Sequence, residues 1–191
     1  MQYTHFRQCL SGWVLAIVLA AGLTFSACQV TPPTDSSRRT IENKLETVTV
    51  NPEQVVVGQT VYVPVYSYIY QFNNRSPVIN LSSTLSIRNT DLEDSLILTA
   101  VRYYNNNGEL VRSYLENPVA LPPLASADYF IATDDSSGGF GANFIVEWVA
   151  KTSVTEPVIE ALMINTAGNQ GISFVSAGRV IQRQGERIAV P

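Results

Sequence analysis

Apolar and polar positions alternate in short stretches along most of the chain, with the period of two that is typical of half-buried β-strands. The clearest case is 81–89, where Leu81, Leu85 and Ile87 share one face and hydroxyl or charged side chains occupy the other. Comparable stretches rich in β-branched or aromatic residues predict strands at 61–71, 95–104, 109–115, 127–133, 144–148, 158–165 and 172–181. Residues 105–108, Asn-Asn-Asn-Gly, predict a hairpin turn between 95–104 and 109–115.

This number and spacing of short strands predicts an all-β fold, an antiparallel immunoglobulin-like β-sandwich of about seven to nine strands. We place it at 59–184, with Phe144 and Trp148 pointing inward, and keep a partly open β-barrel as the alternative. Pro64 cannot donate a ladder hydrogen bond, so its strand is expected at a sheet edge or with a bulge.

The segment 41–57, ahead of the clear strands, is ambiguous. Ile41, Leu45 and Val48 have helical spacing, whereas 47–50 alternates like a strand.

The first 27 residues have the features of a signal peptide that forms a helix. Arg7 is the only charged side chain before the apolar run 13–25, which is shorter than the roughly 20 residues that span a bilayer. Residues 25–28, Phe-Ser-Ala-Cys, then resemble the lipobox of bacterial lipoproteins, although an aliphatic residue is usual where Phe25 stands. That resemblance implies cleavage before Cys28 and lipidation of its sulfur.

Two other interpretations of this leader remain open: cleavage by the ordinary signal peptidase, and retention as an uncleaved anchor. With lipidation, 28–58 is a lipid-anchored tether and lead-in, and 185–191 is a short tail. The polar, Pro- and Ser-rich part of the tether has an expected reach on the order of 20 Å. The domain would then lie at the periplasmic face of a membrane or at the outer surface of the cell envelope.

The charge of the chain limits its partners. Removal of 1–27 takes away one of 12 basic residues and none of 16 acidic residues, which leaves a net charge of −5. A mildly acidic chain without a basic block argues against nucleic acid. The expected partners are the membrane, through the N-terminal lipid, and an envelope glycan or protein.

Cysteine and histidine are absent after Cys28, because Cys9 and His5 both lie in the leader. A Ser-His-Asp triad, a cysteine nucleophile and a His/Cys zinc site are therefore excluded from the exported domain. We expect no cofactor, no metal site and no catalytic residue.

Four segments resemble one family of uncharacterised secreted bacterial proteins that is common in cyanobacteria, domain-of-unknown-function family 3124. They read VYVPVYS at 61–67, LSIRNTD at 85–91, GGFGANFIVEW at 138–148 and QGISFVS at 170–176. A His often stands in that family where this chain has Tyr68, so a role that needs an imidazole there is absent here. The resemblance implies no activity.

The first set of candidate binding residues consists of tyrosines at alternate positions. In one regular strand, Tyr62, Tyr66, Tyr68 and Tyr70 would share a face with Pro64, and an exposed row could stack on sugars or grip a peptide. The alternative is that these tyrosines only pack across strands.

Asp134 and Asp135 begin an acidic, glycine-rich loop, and Asn143 follows it; these three are further candidate ligand-binding residues. The acidic pair could contribute to a Ca²⁺ site, although the spacing matches no known calcium loop and a solvated turn is the simpler interpretation.

Glycoside hydrolysis is the enzyme class that this inventory still allows, because it needs only paired carboxylates. The candidates are Asp91, Glu93, Asp94, Asp134, Asp135 and Glu147. Glu147 either points outward or is buried and paired, with Arg88 and Arg102 as possible partners.

The leading hypothesis is a non-enzymatic, membrane-anchored envelope lipoprotein with a binding module for a glycan, a peptide or a protein. The alternatives are a carboxylate-dependent glycoside hydrolase of the cell envelope and a structural spacer in an envelope assembly.

Overall fold

The structure is a computed structural model, which describes residues 45–167 and 171–184, and the backbone of 186–187. These residues all fall within Glu42–Pro191, one of two units of the chain. The predicted signal helix, Cys28 and most of the tether lie outside the described residues, as does the predicted tail apart from the backbone of Glu186–Arg187. No helix in the described ranges is long and apolar enough to cross a bilayer.

The larger of two antiparallel sheets contains eight strands, numbered in chain order through the whole fold. They are β1 Glu46–Thr47, β2 Val57–Pro64, β6 Leu96–Tyr104, β7 Leu110–Ser113, β8 Val119–Leu121, β10 Asn143–Ala150, β13 Arg179–Arg183 and β14 Glu186–Arg187. The order is β1-β8-β6-β10-β2-β13-β14, and β7 also pairs with β6.

The smaller sheet contains four strands, which are β5 Ser82–Arg88, β9 Ser126–Ile131, β11 Val158–Asn165 and β12 Ile172–Ala177. Their order is β12-β11-β5-β9. A separate two-stranded hairpin pairs β3 Tyr68–Tyr70 with β4 Val78–Asn80, and Pro52–Gln54 forms one 3₁₀ turn. Because no described strand belongs to both large sheets, the fold is an all-β sandwich, as predicted, rather than the alternative partly open barrel.

The core lies between the two sheets and consists of the inward residues of both. Along β10, buried and half-buried residues alternate without exception, and Phe144 and Trp148 point inward as predicted. The predicted inner face of 81–89 is also confirmed, since Leu81, Leu85 and Ile87 are fully buried. These side chains form one continuous apolar cluster, so the sandwich has a single core.

The predicted strand 172–181 is wrong as one element, because the chain changes sheets at Gly178. β12 lies at an edge of the smaller sheet, whereas β13 pairs with β2 in the larger one. A Cβ at Gly178 would lie 2.7 Å from the Ile159 carbonyl oxygen and 2.8 Å from a Val61 methyl group. The crossing therefore requires a residue without a side chain.

The prediction that the strand of Pro64 lies at a sheet edge is wrong. The strand of Pro64 is internal, flanked by β10 and β13. Pro64 is the last residue of β2 and pairs with Asn143, while the pairing with β13 begins only at Tyr62. Its missing N–H therefore removes no bond to β13, and the register irregularity of this pair lies in β13, between Val180 and Gln182.

In the ambiguous segment, the described residues 45–57 contain the short strand β1 and the 3₁₀ turn Pro52–Gln54, and no α-helix. Thr47 pairs with Val119, and the Val48 N–H donates to the Pro118 carbonyl oxygen at 2.9 Å. The segment therefore extends the larger sheet at the β8 edge.

Two polar residues tie the loops at one end of the sandwich. The buried Asn89 amide donates to the carbonyl oxygens of Asp94, Leu121 and Pro122 at 2.9–3.0 Å. The Asp91 carboxylate accepts N–H groups of Glu93, Asp94 and Thr155 at 2.8–3.0 Å. These bonds, that from Thr155 above all, lower the pKa of Asp91 from 3.8 to about 2.

At the other end of the sandwich, the loop 132–142 between β9 and β10, which we call the glycine loop, packs on the buried Tyr103. The Tyr103 hydroxyl group lies 3.1 Å from the hydroxyl oxygen of Ser67, and both residues are buried. A Cβ at Gly138 would overlap that hydroxyl group and lie 2.6 Å from the Cβ of Ala142. The loop backbone therefore closes over Tyr103 with no room for a methyl group.

We expect Gly138→Ala to lower the free energy of unfolding by roughly 1–3 kcal/mol, because the added methyl group overpacks this end of the core. Gly171→Ala is the matched control, since its Cβ would have only the Asn165 carbonyl oxygen within 4 Å, at 3.8 Å. Its effect should stay within about 0.5 kcal/mol. Urea unfolding followed by tryptophan fluorescence measures both, and equal midpoints for the two variants would contradict the packing argument.

We expect Asp91→Asn to reduce stability at neutral pH, because an amide accepts the three N–H groups less strongly than a carboxylate. A depressed pKa stabilises the folded state above about pH 4, and the effect is lost as the pH falls toward 2. Thermal unfolding midpoints of the wild type and the variant should therefore differ at pH 7 and converge near pH 2. A difference that is constant across this range would contradict the prediction.

Candidate functional site

The arm, as we call residues 68–80 with their strands β3 and β4, projects from the end of β2. Its two ends meet at the sandwich, where the Leu81 N–H donates to the Ser67 carbonyl oxygen at 2.9 Å. The Ser67 N–H in turn donates to the Gly139 carbonyl oxygen at 3.1 Å. The base of the arm is thus fixed on the glycine loop.

Five aromatic side chains, which we call the aromatic cluster, meet where the arm joins the sandwich. They are Tyr66, Tyr68, Tyr70, Phe140 and Phe174. Phe140 is central, with ring centroids 5.2 Å from Tyr66 in an edge contact and 5.0 Å from Tyr70 in a stack at 15°. Such pairs stabilise by about 0.5–1.5 kcal/mol beyond their burial, so the cluster orders the arm.

Much of this aromatic surface still contacts solvent. Tyr70 is 41% exposed, Phe140 is 39% exposed, and Phe72 in the loop of the arm is 80% exposed. The guanidinium carbon of Arg75 lies 6.0 Å from the centroid of the Tyr70 ring. The arm therefore presents a mixed aromatic and cationic surface.

The predicted row of tyrosines is only partly correct. Tyr66, Tyr68 and Tyr70 come together, but the regular strand ends at Pro64, so they do not continue its face. Tyr62 lies on the outer face of the larger sheet, opposite Ile145 and Arg179.

Asn143 shares this outer face with Tyr62. It begins β10, opposite Pro64 on one side and Tyr104 on the other. The structure therefore does not bring Asn143 or Tyr62 into the aromatic cluster.

Asp135 orders its own loop. Its carboxylate accepts the N–H and the hydroxyl group of Ser137 and pairs with Arg112 at 3.1 Å, while Asp134 is exposed. These contacts, with the Ser137 hydroxyl first, lower the pKa of Asp135. Within the described ranges, no group of three or more His, Cys, Asp or Glu residues is arranged to hold a metal ion.

The carboxylates considered for hydrolysis fall into three groups: Asp91, Glu93 and Asp94 in one loop, Asp134 and Asp135 in another, and Glu147 on β10. Asp91 is held to the loop that follows β10, whereas Asp135 belongs to the loop that precedes it. The length of β10, eight residues at about 3.3 Å each, separates these two loops, far beyond the roughly 5–10 Å of a hydrolase pair. A general acid also needs a raised pKa, and the pKa values of Asp91 and Asp135 are both lowered.

Glu147 points outward, as in the first predicted arrangement, and forms an ion pair with Arg102 on the neighbouring strand β6, a partner predicted for the buried arrangement. The other candidate partner, Arg88, instead lies 3.6 Å from Glu160. Glu147 is therefore half-exposed and neutralised by a neighbour.

Four residues of this region were missed by the sequence analysis: Phe72, Arg75, Phe140 and Phe174. Phe140 carried a local signal, because a large aromatic side chain between Gly139 and Gly141 in a loop has few neighbours to bury it. The other three carried none, since only the tertiary fold brings Phe174 of β12 to within 5.8 Å of Tyr66.

Comparison with known proteins gives a family without an assigned activity. The crystal structure of Thermotoga maritima 1070 aligns with 63% of this chain and 92% of its own, at 14% sequence identity and a TM-score of 0.36. A similarity this weak supports no conclusion about fold or function. No curated protein matches the chain.

A family model described as protein of unknown function (DUF3124) matches residues 58–181. The match spans well over half of the chain and runs from the start of β2 into β13. It includes the arm and the glycine loop. The chain therefore belongs to the DUF3124 family of proteins of unknown function.

Proposed function

We propose that this chain is a lipid-anchored protein of the bacterial envelope and that its sandwich binds a protein partner through the arm. The observation that carries the proposal is the exposure of Tyr70, Phe72 and Phe140 in one region. Large aromatic residues exposed together are typical of interaction surfaces, and Tyr and Arg are enriched among the residues that dominate binding energy.

The geometry of Tyr70 favours a protein over a glycan at the arm. At the arm, ring stacking is what the exposed aromatic side chains could offer a sugar, but Phe140 stacks on the Tyr70 ring at 5.0 Å and Arg75 also contacts it. Phe72, which is 80% exposed in the loop of the arm, is suited to insertion into a pocket on a folded partner. The arm thus combines an apolar anchor with a cation, a composition common in protein interfaces.

The anchor in this proposal rests on the sequence of the leader. The run 13–25 and the segment Phe-Ser-Ala-Cys that ends at Cys28 are the features that support it. Each buried methylene of an acyl chain contributes about 0.8 kcal/mol, and two or more chains hold a protein stably on a membrane. Anchoring would also raise the local concentration of the arm near envelope partners.

We expect the protein from its native bacterium to begin at Cys28 and to carry acyl groups, because the leader ends in a lipobox-like segment. Intact-mass spectrometry measures both features. The Cys28→Ala variant should lack the added mass and should no longer be recovered in the detergent-extracted membrane fraction. A wild-type chain with Met1 attached and an unmodified Cys28 would refute the anchor.

We expect the double variant Tyr70→Ser/Phe72→Ser to lose its partner, because truncating central aromatic residues of an interface costs about 2 kcal/mol or more. The matched control is Phe130→Ser/Val175→Ser, which removes side chains that are 56% and 55% exposed on the outer face of the smaller sheet. Cross-linking of the full chain in its envelope, quantified by mass spectrometry, identifies the partner. Titration with that purified protein then measures affinity.

The arm variant should bind at least tenfold more weakly than wild type, with the control unchanged. Equal loss in both variants, or no protein enriched over an unrelated lipoprotein, would contradict a role for the arm. The latter result would favour the spacer hypothesis.

A further inference from the structure

A cavity of about 440 Å³ lies on the outer face of the larger sheet, at the end of β2 farthest from the arm. Gly58 forms part of its floor, and a Cβ there would lie 3.0 Å from the Trp148 carbonyl oxygen and 3.0 Å from a Val149 methyl group. Its size falls within the roughly 300–1,000 Å³ of small-ligand sites. Gly58 thus lets Val149 pack closely on the backbone of β2, which forms the floor of this depression.

The walls of the cavity are held in place by hydrogen bonds. On one side, Val50, Pro52 and Val55 line it from the segment that precedes β2. On the other side stands Gln184, whose N–H donates to the Gly58 carbonyl oxygen at 3.0 Å and whose amide donates to the Val55 carbonyl oxygen at 3.4 Å. The depression is therefore a built feature of the fold.

The charged groups that line the cavity are neutralised by the protein itself. Glu147 pairs with Arg102, and Arg183 donates to Glu156 at 2.6 Å. That donation is the main cause of the lowered pKa of Glu156. A charged ligand would meet no uncompensated charge among these groups, so the site favours a neutral one.

The remaining lining groups match a molecule with many hydroxyl groups and an apolar face. Thr60, Thr99 and Gln182 each provide both donors and acceptors, and Glu147 adds carboxylate lone pairs. Val55 and Val149 provide apolar surface. Trp148 borders the cavity, but its side chain is buried, so none of the lining residues offers an aromatic ring for stacking a nucleobase.

We propose that this cavity binds a neutral sugar unit, with its hydroxyl groups on Thr60, Glu147 and Gln182 and its C–H face on Val149. The site is separate from the arm, so it goes beyond the protein-binding function proposed above. An open site with a mixed polar and apolar lining fits weak binding, with a Kd on the order of 1 mM.

The experiment uses the full chain and three probes, methyl α-glucopyranoside, methyl α-mannopyranoside and N-acetylglucosamine, each titrated well above 1 mM. Saturation-transfer NMR detects binding, and the variant Thr60→Tyr fills the cavity from the centre of β2. Thr84→Tyr is the matched control, because Thr84 is also a half-buried threonine on the outer face of a central strand, in the other sheet. Thermal unfolding establishes that both variants are folded.

We expect at least one probe to bind the wild type and Thr84→Tyr, and Thr60→Tyr to bind at least tenfold more weakly. If Thr60→Tyr does not fold, the pair Thr60→Val and Gln182→Ala takes its place, with a several-fold loss expected in each. The arm variant Tyr70→Ser/Phe72→Ser should bind sugar as the wild type does, which separates this proposal from the first. No binding of any probe, or equal binding by both tyrosine variants, would overturn the sugar site.

Discussion

Burial of one face of β10 is the constraint on which the rest of the structure depends. Phe144, Val146 and Trp148 lie in the core between the sheets, and each side chain of this size contributes about 1.5–3 kcal/mol when removed from water. A shift of register by one residue would place Glu147 in that core, so the pairing with β2 and β6 is strongly specified. The same alternation directs Glu147 and Val149 outward, where they form part of the cavity.

The local pattern of the sequence was sufficient to predict the strands and much of the core. The alternation at 81–89, the inward position of Phe144 and Trp148, and the turn at Gly108, whose φ is +79°, agree with the structure. These features are properties of a few neighbouring residues, since a strand has a period of two whatever it pairs with. The family could likewise be predicted from short segments, because each segment that resembles it consists of neighbouring residues.

The topology could not be predicted, because it depends on contacts between distant parts of the chain. The stretches 61–71 and 172–181 each read as one strand, yet each continues into a different sheet. At Val65 and Ser67 the chain leaves β2 because its N–H groups bond the glycine loop, more than 70 residues later. The cavity depends on β2 lying beside β13, and no local pattern specifies that pairing.

The closing bond between Ser67 and Leu81 has a consequence for how this fold can vary. Because the arm leaves and rejoins the sandwich at adjacent points, its length and composition are decoupled from the sheets beneath it. A shorter or longer hairpin could replace residues 68–80 without altering any strand register. The fold therefore allows this segment to change while the packing of the core, which depends on the two large sheets, stays the same.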